Sequence, residues 1–181
     1  SLAYDGRRRD FFLNELKKAL FILDKNHVSA DKFKGSWAGA FGQTQFMPST
    51  FTRYAVDFDK NKKIDLFSKI DALASAANYL AQEGWNENLL WGEKVKLKIS
   101  DKFKSMAKKK VYKSIKYWEN NGIMLRKNYN KNDKLRLIIP DSIDNQVFLV
   151  SKNFDVILKW NRSNYFALTV FLLSDEIDKN I

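Results

Sequence analysis

A run of small residues between positions 35 and 42 constrains this chain more than any other feature of its sequence. Three of the seven glycines fall there, interleaved with alanines. Residues of this size let backbone approach backbone, or a ligand, very closely. Gln43, Thr44 and Gln45 follow with amide and hydroxyl groups that donate and accept hydrogen bonds. An apolar wall interrupted by such groups is typical of a sugar-binding cleft, and a tight turn between helices is the alternative.

Length and composition exclude some classes of protein and leave others open. A chain of 181 residues is long enough for one domain, or for one domain with a small appendage. It contains no cysteine, so a disulfide framework is excluded and the redox compartment stays open. The formal net charge of +11 favours polyanionic partners such as nucleic acid, acidic lipid or a wall polymer with carboxylates. The scattered lysines at 102–116 are typical of a solvated helix face.

Apolar periodicity predicts a helix at residues 10–25, with Phe12, Leu16 and Leu20 on its inward stripe. A second helix is predicted at 69–83, ended by Gly84. The rest of the chain reads as mixed α and β structure. Strands are predicted at 95–99 and 135–139, a helix at 110–120, a hairpin from 146–150 and 155–159, and a last helix through 168–172.

A short acidic segment has the spacing of an EF-hand calcium loop. Asp57, Asp59 and Asn61 occupy its first three ligand positions, and the Lys63 carbonyl would take the fourth. Hard oxygen donors of this kind favour calcium over a transition metal.

The same segment departs from the EF-hand pattern at two positions. Lys62 replaces the usual glycine, which costs roughly 1–2 kcal/mol in a left-handed conformation. Ser68 replaces the closing glutamate. The alternative is that Ser68 and Asp71 form the capping box of the next helix.

Three ordered strings, GSWAGAFGQTQFMPSTF, RYAVDFD and DALASAANYLAQEGW, resemble the lytic murein transglycosylase B family of bacterial envelope enzymes. The resemblance is dense between residues 35 and 91 and thin between 94 and 145. It implies an α+β fold with a mainly helical, lysozyme-like core and a small β-containing subdomain. We predict the helical core at 1–93, the β-containing subdomain at 94–157, and a strand end and helix returning to the core at 158–181.

The resemblance also implies an activity and a set of site residues. The family cleaves the MurNAc–GlcNAc bond of peptidoglycan without water and forms 1,6-anhydro-MurNAc. Trp160 stands where the family has tyrosine, and its indole keeps a flat surface for a sugar ring but cannot accept a hydrogen bond. The implied substrate-binding residues are Ser36, Gln45, Tyr79, Trp160, Asn161 and Tyr165. The family closes the calcium loop at the place of Asp71, so the implied metal ligands are Asp57, Asp59, Asn61, Lys63 and Asp71.

The family's chemistry needs one protonated carboxylic acid and no cofactor. The acid protonates the glycosidic oxygen and then, as carboxylate, takes the proton of the muramic acid 6-hydroxyl. The matching glutamate position falls before Ser1, and the sequence starts without an initiator methionine or signal segment. We therefore expect a truncated chain that is inactive alone. None of the glutamates in the sequence matches the catalytic position: Glu15, Glu83, Glu87, Glu93, Glu119 and Glu176.

The expected partner is the peptidoglycan glycan strand, in the periplasm or bacterial cell envelope, and nucleic acid is not expected. The resemblance permits membrane association through an anchor before the printed residues, and the oligomeric state stays open. Two other interpretations remain. One is an inactive peptidoglycan-binding remnant, or half of a split enzyme. The other is a basic nucleic-acid binder, suggested by a pI near 9.7 but without a recognisable motif.

Overall fold

The computed structural model describes residues 2–4, 7–140 and 146–180. The chain divides into two compact units, unit 1 at Ser1–Gln82 and unit 2 at Glu83–Ile181. The described residues form seven helices: α1 (Arg9–Asp24), α2 (Pro48–Tyr54), α3 (Lys69–Gln82), α4 (Asp101–Lys108), α5 (Ile115–Asn120), α6 (Lys152–Trp160) and α7 (Asn164–Asp178). They also form four strands: β1 (Gly92–Val95), β2 (Tyr112–Ser114), β3 (Lys134–Ile138) and β4 (Val147–Val150). None of these helices has both the length and the apolar character needed to cross a bilayer.

Unit 1 is helical, and its two long helices confirm the predictions at 10–25 and 69–83 to within one residue at each end. The predicted inward stripe of α1 is wrong. Leu16 and Leu20 are 47% and 57% exposed, whereas Glu15 and Ile22 are buried. Glu15 is held inside because its carboxylate accepts two hydrogen bonds from Ser49, which periodicity alone does not register.

Unit 2 contains one antiparallel sheet with the strand order β1-β4-β3-β2. One of its faces packs against Phe103 of α4 and Trp118 of α5, in an apolar cluster with Leu135 and Leu137 of β3. On β3 between them, Arg136 is 1% exposed and its guanidinium pairs with Asp155 of α6 at 2.5 Å. Helices α4 and α5 thus cover one face of the sheet.

Several predictions for unit 2 are corrected. The strand at 95–99 lies earlier, as β1, and the helix at 110–120 is β2 followed by the shorter α5. The hairpin at 146–159 is wrong because β4 leads into α6, so the strand end predicted after residue 158 is also helical. Ser151 starts this helix by accepting the N–H of Asn153, and the spacing of Phe154 and Ile157 buries both side chains.

The predicted strand at 135–139 is confirmed as β3, and the predicted last helix lies within α7. The domain boundaries at 93/94 and 157/158 stay predictions, and the division into two compact units falls after Gln82. Residues 141–145 of the predicted β-containing subdomain lie outside the described residues.

Gly92 should be the least replaceable glycine of the sheet. Its φ is +142°, and a Cβ placed there would lie 2.2 Å from the Leu149 carbonyl oxygen of the paired strand. We expect Gly92→Ala to lower the free energy of unfolding by about 3 kcal/mol or more, since it adds backbone strain to a steric clash. Urea denaturation measures the loss.

The matched control is Gly122→Ala. Gly122 also has a positive φ, +79°, but its added Cβ would meet nothing within 4 Å. The control should cost only roughly 1–2 kcal/mol, from the conformation itself. If Gly92→Ala and Gly122→Ala lower the free energy of unfolding equally, the clash with the Leu149 carbonyl oxygen makes no contribution.

Candidate functional site

The small-residue run of unit 1 forms a tight loop closed on itself. Phe41 pairs with Gly35 on one side and with Phe46 on the other through isolated β-bridges. Gly42 has a φ of +70°, and a Cβ there would lie 2.5 Å from the Cβ of Leu66. A glycine is therefore required at this position by both conformation and space. Both interpretations of the run have support, because the loop is a tight turn and also borders a cavity.

That cavity has a volume of about 480 Å³ and is lined by the loop and by α1. Trp37 lies on its rim and is 85% exposed. A flat, exposed indole beside apolar walls is suited to stacking on a sugar ring. Sequence reasoning did not single out Trp37, although an aromatic residue inside a run of small residues was the available signal. Other lining residues include Phe12, Leu16, Phe33, Ser36, Gly39 and Pro48.

Ser36 and Gln45 reach the surface of unit 1 in different ways. Ser36 lines the cavity, and its Oγ accepts the N–H of Ala40 at 3.1 Å. Gln45 is exposed, lies outside the lining of the cavity, and has a left-handed backbone with a φ of +50°. Its Nε2 donates to the Gly42 carbonyl at 2.9 Å, which leaves Oε1 without a partner among the described residues. An amide oxygen held in this way can accept a hydrogen bond from a ligand.

Tyr79, the third predicted residue of unit 1, lies in the core. It is 7% exposed, with ring centroids 4.7 Å from Tyr54 and 5.7 Å from Phe46. This burial matches the ordinary expectation for a tyrosine on the inner face of a helix. Contact between Tyr79 and a glycan stays a prediction.

Glu15 is the one carboxylate among the described residues that line the cavity. Its Oε1 accepts the hydroxyl of Ser49 at 2.6 Å, and its Oε2 accepts the backbone N–H of Ser49 at 2.9 Å. It thereby satisfies a free N–H group at the start of α2, where no side-chain cap is present. Both oxygens are thus directed at Ser49, in a residue that is only 5% exposed.

The predicted residues of unit 2 cluster where α6 ends and α7 begins. Trp160 is the last residue of α6 and is half-buried, while Asn161 and Tyr165 are exposed. Asn161 Oδ1 accepts the N–H of Ser163, and Ser163 in turn caps α7 through the N–H of Phe166. Ser163 is thus the cap of α7, and Asn161 fixes the turn that leads into it. The Nδ2 group of Asn161 has no partner among the described residues and can donate to a ligand.

The acidic segment of unit 1 brings three carboxylates together. Ligand oxygens of Asp57, Asp59 and Asp71 all lie within 4.8 Å of one another. Calcium binds oxygen at about 2.3–2.6 Å, so such a set fits around one ion. Lys62 has a φ of +70°, which confirms the left-handed conformation that the loop requires.

Asn61 and Lys63, the other two predicted ligands, take part in the hydrogen bonding of the loop. The Asn61 backbone N–H donates to Asp57 and Asp59, and Asn61 Oδ1 accepts the N–H of Lys63 at 2.8 Å. Whether Asn61 Oδ1 and the Lys63 carbonyl reach an ion stays a prediction.

His27 anchors this loop to the end of α1, a role that its position in a polar loop did not indicate. Its Nδ1 accepts the N–H of Ile64 at 3.0 Å. Burial lowers the pKa of His27, while Asp57 raises it and Lys25 lowers it further. The net lowering favours the neutral imidazole that this hydrogen bond needs.

Comparison with known proteins gives consistent results over nearly the whole chain. The family described as transglycosylase SLT domain matches residues 1–175. Membrane-bound lytic murein transglycosylase B of Escherichia coli (strain K12) is 30% identical over 175 residues, which are 94% of this chain and 47% of the relative. The chain therefore spans about half the length of that relative.

Solved structures agree with the sequence match. SltB3 from Pseudomonas aeruginosa, in complex with NAG-anhNAM-pentapeptide, has a TM-score of 0.90 and 40% identity, covering 98% of this chain and 48% of SltB3. The Escherichia coli lytic transglycosylase Slt35, in complex with calcium, has a TM-score of 0.82 and 27% identity, covering 99% of this chain and 57% of Slt35. The α+β, lysozyme-like fold expected from the sequence is confirmed.

Proposed function

The chain belongs to the transglycosylase SLT domain family, and we propose on that premise that it binds the glycan strand of peptidoglycan for lytic transglycosylation. The reaction cleaves the MurNAc–GlcNAc bond with formation of 1,6-anhydro-MurNAc. It would place the protein in the periplasm or cell envelope. The observation that carries the proposal is the exposed Ser36–Gln45 loop, with its cavity, its rim indole and its strained glutamine.

The backbone of Gln45 supports a role at the surface rather than in folding. A left-handed glutamine costs roughly 1–2 kcal/mol relative to glycine. Such strain persists where the side chain itself is needed. An amide that is fixed by the Gly42 carbonyl can present its oxygen to an N-acetyl N–H or a hydroxyl without further loss of side-chain freedom.

The chemistry needs a proton donor at the glycosidic oxygen. When the C1–O4 bond breaks, O4 takes that proton, and the 6-hydroxyl of the same muramic acid attacks C1 while the resulting carboxylate accepts its proton. No second carboxylate acts as nucleophile, unlike in two-carboxylate glycosidases. Glu15 is poorly placed as a donor because its carboxylate is directed at Ser49 and the residue is only 5% exposed. We propose that the described residues bind and orient the glycan and that Glu15 stabilises α2.

Gln45 should contribute to glycan binding and not to stability. We expect Gln45→Ala to weaken binding to purified murein sacculi about tenfold, the scale of one lost hydrogen bond. Gln45→Gly should weaken binding equally while unfolding at the same or a higher temperature, because glycine relieves the left-handed strain. Pull-down on sacculi and thermal melts measure the two effects.

The control variant is Gln82→Ala, which removes an exposed glutamine at the end of α3. Its binding should equal that of the unchanged chain. If Gln45→Ala and Gln82→Ala bind alike, Gln45 has no place in the glycan site.

The 181-residue chain should bind sacculi without releasing anhydromuropeptides at enzymatic rates. General acid–base catalysis contributes about 10²–10⁴-fold, and the carboxylate that lines the cavity is committed to Ser49. Mass spectrometry of the soluble products measures whether anhydromuropeptides are released. Rapid product formation that disappears in Glu15→Gln, with folding intact, would identify Glu15 as the acid and refute its structural role.

We also propose that the loop of Asp57, Asp59, Asn61, Lys63 and Asp71 binds a structural calcium ion. The support is the convergence of three carboxylates and the calcium complex of the similar Slt35. An ion would relieve the repulsion among these carboxylates and take no part in the chemistry.

Calcium should raise the melting temperature of the chain. At a free concentration about tenfold above the dissociation constant, linkage stabilises the folded state by about 1.4 kcal/mol, which corresponds to a few degrees. Asp59→Asn should abolish most of this shift, whereas Asp24→Asn, the same change on an exposed residue of α1, should keep it. No shift at about 10 mM calcium, well above the affinity range of extracellular calcium sites, or an equal shift in Asp59→Asn, would rule the site out.

A further inference from the structure

A basic groove lies on the surface of unit 2. Two adjoining cavities of about 500 and 630 Å³ share Lys110 and Asn164 in their lining. Lys104 and Lys108 of α4 line one end, and Lys159 and Arg162 line the other. Because the cations come from two separate parts of the chain, the groove differs from the solvated face of a single helix.

The positive charge of the groove is largely uncompensated. Asp155 is the one carboxylate among its described lining residues, and it already binds the Arg136 guanidinium and the Tyr112 hydroxyl. Lys104 and Lys159 have carboxylate partners. Within the described part of the chain, Lys108, Lys110 and Arg162 form no ion pair. An anion in the groove would meet cations that no other group of this part neutralises.

The first turn of α7 adds to this field. Asn164 is its first residue, and no acidic side chain lies in that turn. The N-terminus of a helix carries a partial positive charge that attracts anions. The groove is therefore positive on the helix side as well as on the lysine side.

The lining also indicates what kind of anion fits. Ile139 in one cavity and Leu158 in the other are half-buried and present some apolar surface, which suits a ligand with aliphatic parts between its charges. No aromatic side chain lies among the described lining residues, whereas single-stranded nucleic acid is generally bound by stacking on aromatic rings. A short peptide with several carboxylates matches both features better than a polynucleotide.

We propose that this groove binds the carboxylates of the peptide attached to the glycan strand, an assignment that rests on the proposed function. Arg162 and Asn164 of the groove lie between the predicted glycan-binding residues Asn161 and Tyr165 along the chain. The turn that would hold the sugar is therefore continuous with the lining of the groove. Peptide-bearing strands are selected over bare ones through this groove.

The test compares three ligands by calorimetry: the GlcNAc–MurNAc disaccharide with a pentapeptide, the same disaccharide without the peptide, and the free pentapeptide. The unchanged chain should bind the first about tenfold more tightly than the second. The combined variant Lys108→Gln, Lys110→Gln, Arg162→Gln should lose that advantage and keep its affinity for the bare disaccharide. It should also lose binding of the free pentapeptide.

The matched control removes three positive charges from exposed lysines of unit 2 that lie outside the groove: Lys94→Gln, Lys96→Gln and Lys116→Gln. Equal losses in the two variants would show that only net charge matters and would overturn the inference. So would equal affinity of the unchanged chain for disaccharides with and without peptide. Binding of a single-stranded oligonucleotide is compared in the same two proteins. If the groove variant loses oligonucleotide binding as strongly as pentapeptide binding, the inference is also overturned.

Failure of the proposed function gives a different result. In that case neither disaccharide binds, while the free pentapeptide still reports on the groove by itself. Loss of pentapeptide binding in the groove variant would then keep the groove as an acidic-peptide site. Absence of pentapeptide binding to the unchanged chain would overturn it.

Discussion

Buried acidic side chains that accept hydrogen bonds from loop backbone hold the irregular parts of this chain in place. Long segments connect the helices and strands, and their N–H groups need acceptors wherever they leave water. Asp71 and Glu93, both buried, each accept N–H bonds from two loop residues. The buried carboxylate of Glu15 likewise accepts the backbone N–H of Ser49 at the start of α2. Without these carboxylates, the loops that carry the candidate sites would contain unsatisfied buried donors, each costing about 1–3 kcal/mol.

This use of acidic side chains also shapes the surface. Carboxylates that are buried in such hydrogen bonds are not available to pair with surface lysines, in a chain whose net charge is +11. Ten lysines and a single acidic residue lie between positions 94 and 116. Asp155 shows the effect locally, because its bonds to Arg136 and Tyr112 leave the nearby groove positive. The same interactions that stabilise unit 2 therefore leave part of its surface basic.

The sequence predicted elements whose signals are local and failed where tertiary contacts decide. Helix α3 is predicted almost to the residue, since its apolar period ends at Gly84. The residues of helix α6 are predicted as half of a hairpin because the apolar pair at 156–157 also suits a strand, whereas the Ser151 cap starts a helix there. Ser36 is predicted only by the resemblance, whereas the amides that follow the small-residue run already indicate Gln45. Nothing local indicated that Glu15 would turn inward to Ser49, 34 positions along the chain.

The calcium-type loop shows how a sequence can depart from a motif and still keep its geometry. Lys62 occupies the position of the usual glycine and accepts the strain of a left-handed backbone. Hydrogen bonds within the loop offset this strain. Asp57 Oδ2 accepts the N–H of Lys62 at 2.8 Å, and Asp57 Oδ1 accepts the N–H of Asn61. Each carboxylate oxygen has a second lone pair, so these bonds still leave acceptors for an ion. The loop is therefore preorganised by the carboxylates that would bind the metal, and an ion would stabilise a conformation that backbone donors already define.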